Sequence, residues 1–170
     1  MKKVLKLTLA VVLMMSVSSL YAQKFGRVDT NEVLAAMPEA KEAQANLETF
    51  VNDLGATFET MQVEINTKVA DLQKNEATMT ESQKQFKYKE IQDLSARMEE
   101  YQRSAQNEMQ QKRAELFKPV QDKAMEAIRK VAQAGGYLAV FDTAMPTLAY
   151  FDEAQLTDLL PEVKRELGIQ

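Results

Sequence analysis

No glycine lies between Gly55 and Gly135, and no proline between Pro38 and Pro119. Glycine and proline are the residues that most readily end or kink a helix. The stretch that lacks them is rich in Ala, Glu, Gln, Lys, Met and Leu, all good helix formers. So long a run without a breaker predicts long, nearly uninterrupted helices rather than a loop-rich fold. Short β-like segments flank it on both sides. The order reads strand, long helix, turn, longer helix, two strands, short helix.

The first strand is predicted over Lys24 to Asp29, with Phe25 and Val28 as its larger apolar residues. Thr30 or Asn31 then caps a helical turn, Glu32 to Met37, that stops before Pro38. Pro38 suits the first turn of the next helix, where a backbone N–H would be unpaired anyway. In that helix, about Pro38 to Asn75, Leu47, Val51, Leu54, Phe58, Met61, Ile65, Lys68, Leu72 and Asn75 alternate steps of four and three. Such a 3.5-residue period predicts a left-handed coiled-coil seam. Asn75 to Ser82 is polar and turns, and Thr80 with Gln83 has capping-box spacing.

The second long helix is predicted over Glu81 to Ala134. Ile91, Leu94, Met98, Tyr101 and Ala105 begin its seam. Beyond them the spacing drifts to eleven residues, as in Leu94, Ala105, Leu116 and Ala127, or Met98, Met109, Val120 and Val131. Eleven-residue spacing implies a straighter winding. Lys112 and Lys123 occupy the third column, so the seam is expected to open toward solvent or a cavity. Pro119 is expected to bend the helix near Glu115 and Leu116. At a rise of ~1.5 Å per residue the two helices span about 55 and about 80 Å.

Gly135 and Gly136 end the second helix. Tyr137 to Phe141 reads as a strand, Asp142 to Pro146 as a turn, and Thr147 to Phe151 as the returning strand of a hairpin. Thr157 is expected to cap a last helix, Asp158 to Leu167, closed by Gly168. Three strands bury little, and their edges are exposed. Pooling strands between copies solves both problems. The fold class is therefore α+β: a long coiled-coil α-hairpin projecting from a small β hub shared between subunits, with a short C-terminal helix. The hub is assigned to 23–37 and 135–170, and the arm to 38–134 with its tip near 75–82. Phe25, Val28, Leu138, Val140, Phe141, Leu148, Tyr150 and Phe151 are the expected hub core.

Residues 1–22 read as a secretory signal peptide: Lys2 and Lys3, an apolar run over Val4 to Val17, then a polar stretch closed by Ala22, after which cleavage is expected. Removing them takes away Lys2, Lys3 and Lys6 and no acid. That leaves 18 bases against 25 acids, a formal net charge of −7 where the whole chain has −4. The chain contains no Cys and no His. Disulfides, thiolate chemistry, histidine triads and the commonest metal ligands are excluded with them. Glu99 and Glu100 are adjacent in a helix and point about 100° apart, so they make no acid–base pair. No Gly-rich phosphate loop is present. The chain is read as a non-enzyme with no cofactor, no metal and no nucleic-acid partner.

Two groups of residues then carry a resemblance. At the entry stand Phe25-Gly26-Arg27-Val28-Asp29, Val33-Leu34, and Pro38-Glu39-Ala40-Lys41 with Ala43. At the exit stand Gly136-Tyr137, Asp152, and Leu156-Thr157-Asp158. In this order, around a hairpin poor in glycine and behind a signal peptide, the chain resembles the Skp/OmpH family of periplasmic chaperones. The resemblance spans the whole mature chain. It implies a homotrimer whose strands form a small barrel. It also implies three arms enclosing a cavity where unfolded outer-membrane β-barrel proteins are held without ATP. Well-known members are basic, and this mature chain is acidic, so no lipopolysaccharide site is carried over.

A protein that holds many unfolded sequences needs adaptable apolar contacts, and Met is flexible and polarisable. Met79, Phe86 and Tyr88, near the tip, are the leading client-binding candidates, followed along the arm by Met98, Tyr101 and Met109. For Met98, with Phe58 and Met61, filling of the seam between the two helices is the favoured reading. Lys84, Lys87 and Lys89 form a small basic cluster that reads as a solvated face, with transient contact to a membrane surface as the other reading. The alternative function is a structural or adaptor coiled coil of the cell envelope.

Overall fold

A computed structural model describes residues 24–145 and 150–169. In chain order the elements are β1 (Lys24–Val28), α1 (Thr30–Ala36), α2 (Pro38–Asn75), a 3-10 turn (Glu76–Thr78), α3 (Glu81–Gly135), β2 (Tyr137–Asp142), a second 3-10 turn (Glu153–Gln155), β3 (Thr157–Asp158) and α4 (Leu160–Glu166). The expected signal peptide and Leu148 lie outside the described residues. No helix among the described residues is long and apolar enough to cross a membrane. Contacts divide the described residues into two compact units: 34–123, and 24–33 together with 124–145 and 150–169.

The smaller unit is built on a three-stranded sheet of order β2-β1-β3. Both ladders are parallel: Phe25 pairs with Ala139 and Val28 with Asp142, while Gly26 pairs with Thr157 and Arg27 with Asp158. The strand nearest the N-terminus is thus the middle of the sheet. Val28, Val33, Ala124, Ala127, Ile128, Leu159 and Val163 are buried. Leu159 packs directly over Gly26, where an added Cβ would sit 2.9 Å from Leu159 Cδ1. Phe25 and Phe141 stack with ring centroids 6.1 Å apart.

Two local expectations change here, at Thr157 and at the α1 cap. Of the predicted returning strand, 147–149 lie outside the described residues, and Tyr150 and Phe151 carry no strand. The third strand among the described residues is Thr157–Asp158. Thr157 does not cap the last helix, because the Leu159 N–H donates to Arg27 O at 2.9 Å and draws this segment along β1. The helix begins only at Leu160, with Asp158 Oδ1 accepting its N–H at 3.0 Å. At α1 the cap is Asp29, not Thr30 or Asn31. Its Oδ1 accepts from the N–H groups of Asn31 and Glu32 at 2.9 and 3.2 Å. The Thr30 hydroxyl donates instead to Asp142 Oδ2 at 2.7 Å, tying α1 to the end of β2.

Residues 34–123 hold the long helical hairpin. Ala43, Leu47, Leu54, Phe58, Met61, Ile65, Lys68, Leu72 and Asn75 are buried or half-buried along α2, whereas Val51, expected in the same seam, is 41% exposed and leaves a step of seven between Leu47 and Leu54. Ala43, Ile65 and Leu72 are buried. The capping box at α3 forms: Gln83 N–H donates to Thr80 Oγ1 at 3.3 Å, and Thr80 N–H donates to Gln83 Oε1 at 2.8 Å. Pro119 lies inside α3, which runs on as helix to Gly135. Gly136 ends it at φ +68°, a conformation that favours glycine.

Candidate functional site

Chemistry is the first thing the geometry restricts. Among the described residues, no group of three or more His, Cys, Asp or Glu side chains is placed to hold a metal ion. No polar or charged residue among them is buried. What the hairpin presents instead is apolar surface that it does not cover itself.

Three hollows carry that surface on residues 34–123. At the tip, Met79, Ser82, Gln83, Phe86 and Lys87 line one of about 330 Å³. Phe86 is 68% exposed there and Met79 half-buried. Tyr88 is also exposed, but it lies two residues past Phe86 and therefore leaves the helix on another face. Midway, Val51, Leu54, Gly55 and Phe58 of α2 face Tyr101, Gln102, Ala105, Gln106 and Met109 of α3 around about 250 Å³. Tyr101 donates its hydroxyl to Leu54 O at 3.1 Å, which fixes its ring at the edge. Met98 is half-buried at its seam position. A third hollow of about 440 Å³ is lined by Leu34, Ala35, Ala40, Lys41, Gln44, Ala45, Glu48 and Phe117.

The structure thus joins Met79 to Phe86, and Tyr101 to Met109, in separate places. Sequence reasoning missed Gly55 as a site residue, and Phe117 altogether. Gly55 had a signal: it is a glycine in a helix interior, where it costs about 1 kcal/mol relative to Ala. Phe117 falls outside both eleven-residue columns, so periodicity passes over it.

In the other unit, Val28 is buried, and Phe25, Val140, Phe141 and Phe151 are half-buried. Leu138 and Tyr150 are 64% and 84% exposed. Within one chain, most of the expected hub residues remain in contact with solvent.

Ion pairs between α2 and α3 lie toward the two ends of the hairpin. Asp71 pairs with Lys87 at 3.1 Å, and Lys68 pairs with Glu90. Toward the other end Lys123 pairs with Glu39. Lys84 pairs with Glu81 in its own helix at 3.0 Å, so two of the three lysines near the tip are neutralised locally. The hydrogen bond from Lys68 holds the Glu90 carboxyl below its ordinary value, and Lys87 does the same for Asp71. Lys123 lowers Glu39 likewise, while Glu90 raises Lys68.

The sign follows from these directions. Stabilisation by the lowered carboxylates is present above their ordinary pKa of about 4 and is lost as pH falls through the depressed values. The raised Lys68 keeps its charge until strongly alkaline pH. The helical melting midpoint is therefore expected to stay flat between about pH 6 and 9 and to fall below about pH 4. Circular dichroism melts check this, and Asp71→Asn with Glu90→Gln should reduce the acid slope. The pairs are exposed, so the effect is small per pair.

The sequence of residues 24–167 matches the family model described as Outer membrane protein (OmpH-like). The chain belongs to the OmpH-like family. Its similarity to the Chaperone protein Skp of Vibrio cholerae is 29% identity over 136 residues, covering 77% of this chain and 78% of that one. To the Chaperone protein Skp of Photorhabdus laumondii it is 26% identical over 168 residues, covering 96% and 100%. The crystal structure of an OmpH-like protein from Caulobacter crescentus superposes with a TM-score of 0.72 over 85% of this chain and 83% of that one. At 14% identity that likeness bears on the fold alone. Long helices with a small three-stranded sheet are thus the shared OmpH-like fold.

Proposed function

We propose that this OmpH-like chain is an ATP-independent periplasmic holdase that keeps unfolded outer-membrane β-barrel proteins from aggregating. The observation that carries the reading is the family match over 24–167 together with relatives named as Skp chaperones. Open apolar hollows on the hairpin support it. Such surfaces adsorb apolar side chains with little selectivity.

In this reading residues 1–22 direct export and are cleaved after Ala22. Residues 23–37 with 135–170 form the association hub, and 38–134 the arm. The half-buried Phe25, Val140, Phe141 and Phe151 and the exposed Leu138 and Tyr150 gain cover when three copies pool their strands, with Leu148 assigned to the same core. Lys89, together with the already paired Lys84 and Lys87, supplies any transient contact with lipid head groups.

Dilution of a urea-unfolded outer-membrane barrel protein into buffer tests the function. With the chain in excess, light scattering is expected to stay near baseline; unchanged aggregation overturns the holdase reading. Native mass spectrometry of the same sample is expected to show a trimer, and a stable monomer on dilution overturns the pooled hub.

A further inference from the structure

The hollow around Gly55 differs from the other two in what surrounds it. Its walls carry no charged side chain, and its polar groups are the amides of Gln102 and Gln106 and the Tyr101 hydroxyl. On the α2 side of it the charge is one-sided. Between Lys41 and Lys68, α2 carries Glu42, Glu48, Asp53, Glu59 and Glu64 and no base. Glu59 lies one turn, and Glu48 two turns, from Gly55 on the same helix face. The facing stretch of α3, 97–113, is mixed, with Glu99, Glu100 and Glu108 against Arg97, Arg103, Lys112 and Arg113. None of the five α2 acids is in an ion pair among the described residues.

The volume sets the size of the occupant. A cavity of about 150 Å³ lined by apolar side chains takes up benzene, so about 250 Å³ accommodates one aromatic side chain with its Cβ. The glycine keeps that space free. A Cβ built on Gly55 meets no heavy atom within 4 Å, so nothing in this chain requires a glycine there.

We propose that this hollow is a subsite for a single aromatic side chain in an extended client segment whose neighbouring residues are Lys or Arg. The aromatic ring replaces water against Val51, Phe58, Ala105 and Met109. The Gln102 and Gln106 amides meet the client backbone, and the flanking bases face Glu48, Glu59 and Glu99. The subsite rests on the client-holding reading and gives it a preference: basic-aromatic segments over acidic ones.

The test uses the full mature chain and three short unstructured peptides: one Phe between Lys pairs, the same Phe between Glu pairs, and Ala between Lys pairs. Calorimetry is expected to show the first binding about tenfold or more tighter than either other peptide, with affinity falling as salt rises. A Cβ at Gly55 meets no heavy atom within 4 Å and Leu favours the helix, so Gly55→Leu, meant to occupy the hollow, should fold. It is expected to remove the preference for Phe, and Glu48→Gln with Glu59→Gln to remove most of the salt dependence. Equal binding of the Lys- and Glu-flanked Phe peptides, or a Gly55→Leu chain that binds like the parent, overturns the subsite. If the parent chain still suppresses aggregation in that case, the holdase reading stands and only the subsite falls. If it neither suppresses aggregation nor binds any peptide, both fall.

Discussion

Replacing Leu159 with Ala is expected to destabilise the smaller unit by about 3 kcal/mol, in the range of buried Leu→Ala changes whose cavity does not collapse. Leu159 is 1% exposed. It sits over Gly26 in the central strand, and its own N–H holds the β1–β3 junction through Arg27 O. Collapse into the gap would require β1 to move, and β1 is paired on both sides. Urea unfolding followed by tyrosine fluorescence, at fixed chain concentration, measures the loss. A loss below about 1 kcal/mol would show that the site relaxes after all. Gly26→Ala supplies the cross-check. In the parent chain its methyl group would meet Leu159 at 2.9 Å, so it should be costly alone and much better tolerated beside Leu159→Ala. Such coupling between contacting residues commonly reaches 0.5 to about 3 kcal/mol. Additive losses would mean the two residues do not share that space.

The second large effect is expected at the tip. Met79→Ser with Phe86→Ser should weaken capture of an unfolded barrel protein about tenfold, while assembly and helix content stay unchanged. Phe86 is two-thirds exposed, so truncating it removes little folded-state packing. Both side chains line one hollow, so the double change strips it of its apolar wall. Tyr88→Ser alone should do little, since Tyr88 leaves the helix on a different face. Fluorescence titration with a labelled client, beside native mass spectrometry, separates the outcomes. Loss of assembly would place these residues in the subunit contact, and an unchanged affinity would move client capture away from the tip.

The legible parts of this fold are those written in nearest-neighbour spacing. Leu47, Leu54, Phe58, Ile65 and Leu72 lie buried or half-buried in the α2 seam as the coiled-coil period predicts, Val51 stays exposed, and Thr80 with Gln83 makes the cap. Partners far apart in the chain were not legible. Nothing local to Thr157 tells that it pairs with Gly26 rather than capping a helix, because the preference for β1 is decided by residues more than a hundred positions away. Asp29 outcompetes Thr30 as a cap because Asp142, equally distant, takes the Thr30 hydroxyl. At the tip, Met79 and Phe86, singled out by residue type and position, line one hollow. The Gly55 hollow was missed because its defining feature is an absent side chain, which apolar periodicity does not register.

The parallel order β2-β1-β3 imposes a timetable on the chain as it is made. The helical hairpin closes on neighbours joined by a short turn, so it can form early and quickly. The central strand Lys24–Val28 emerges first but waits for Tyr137–Asp142 and Thr157–Asp158, the last strands to appear. Until they arrive, its two hydrogen-bonding edges and the Phe25 and Val28 side chains have no partner. A protein proposed to shelter others from aggregation therefore passes through an interval in which its own first strand needs the same shelter.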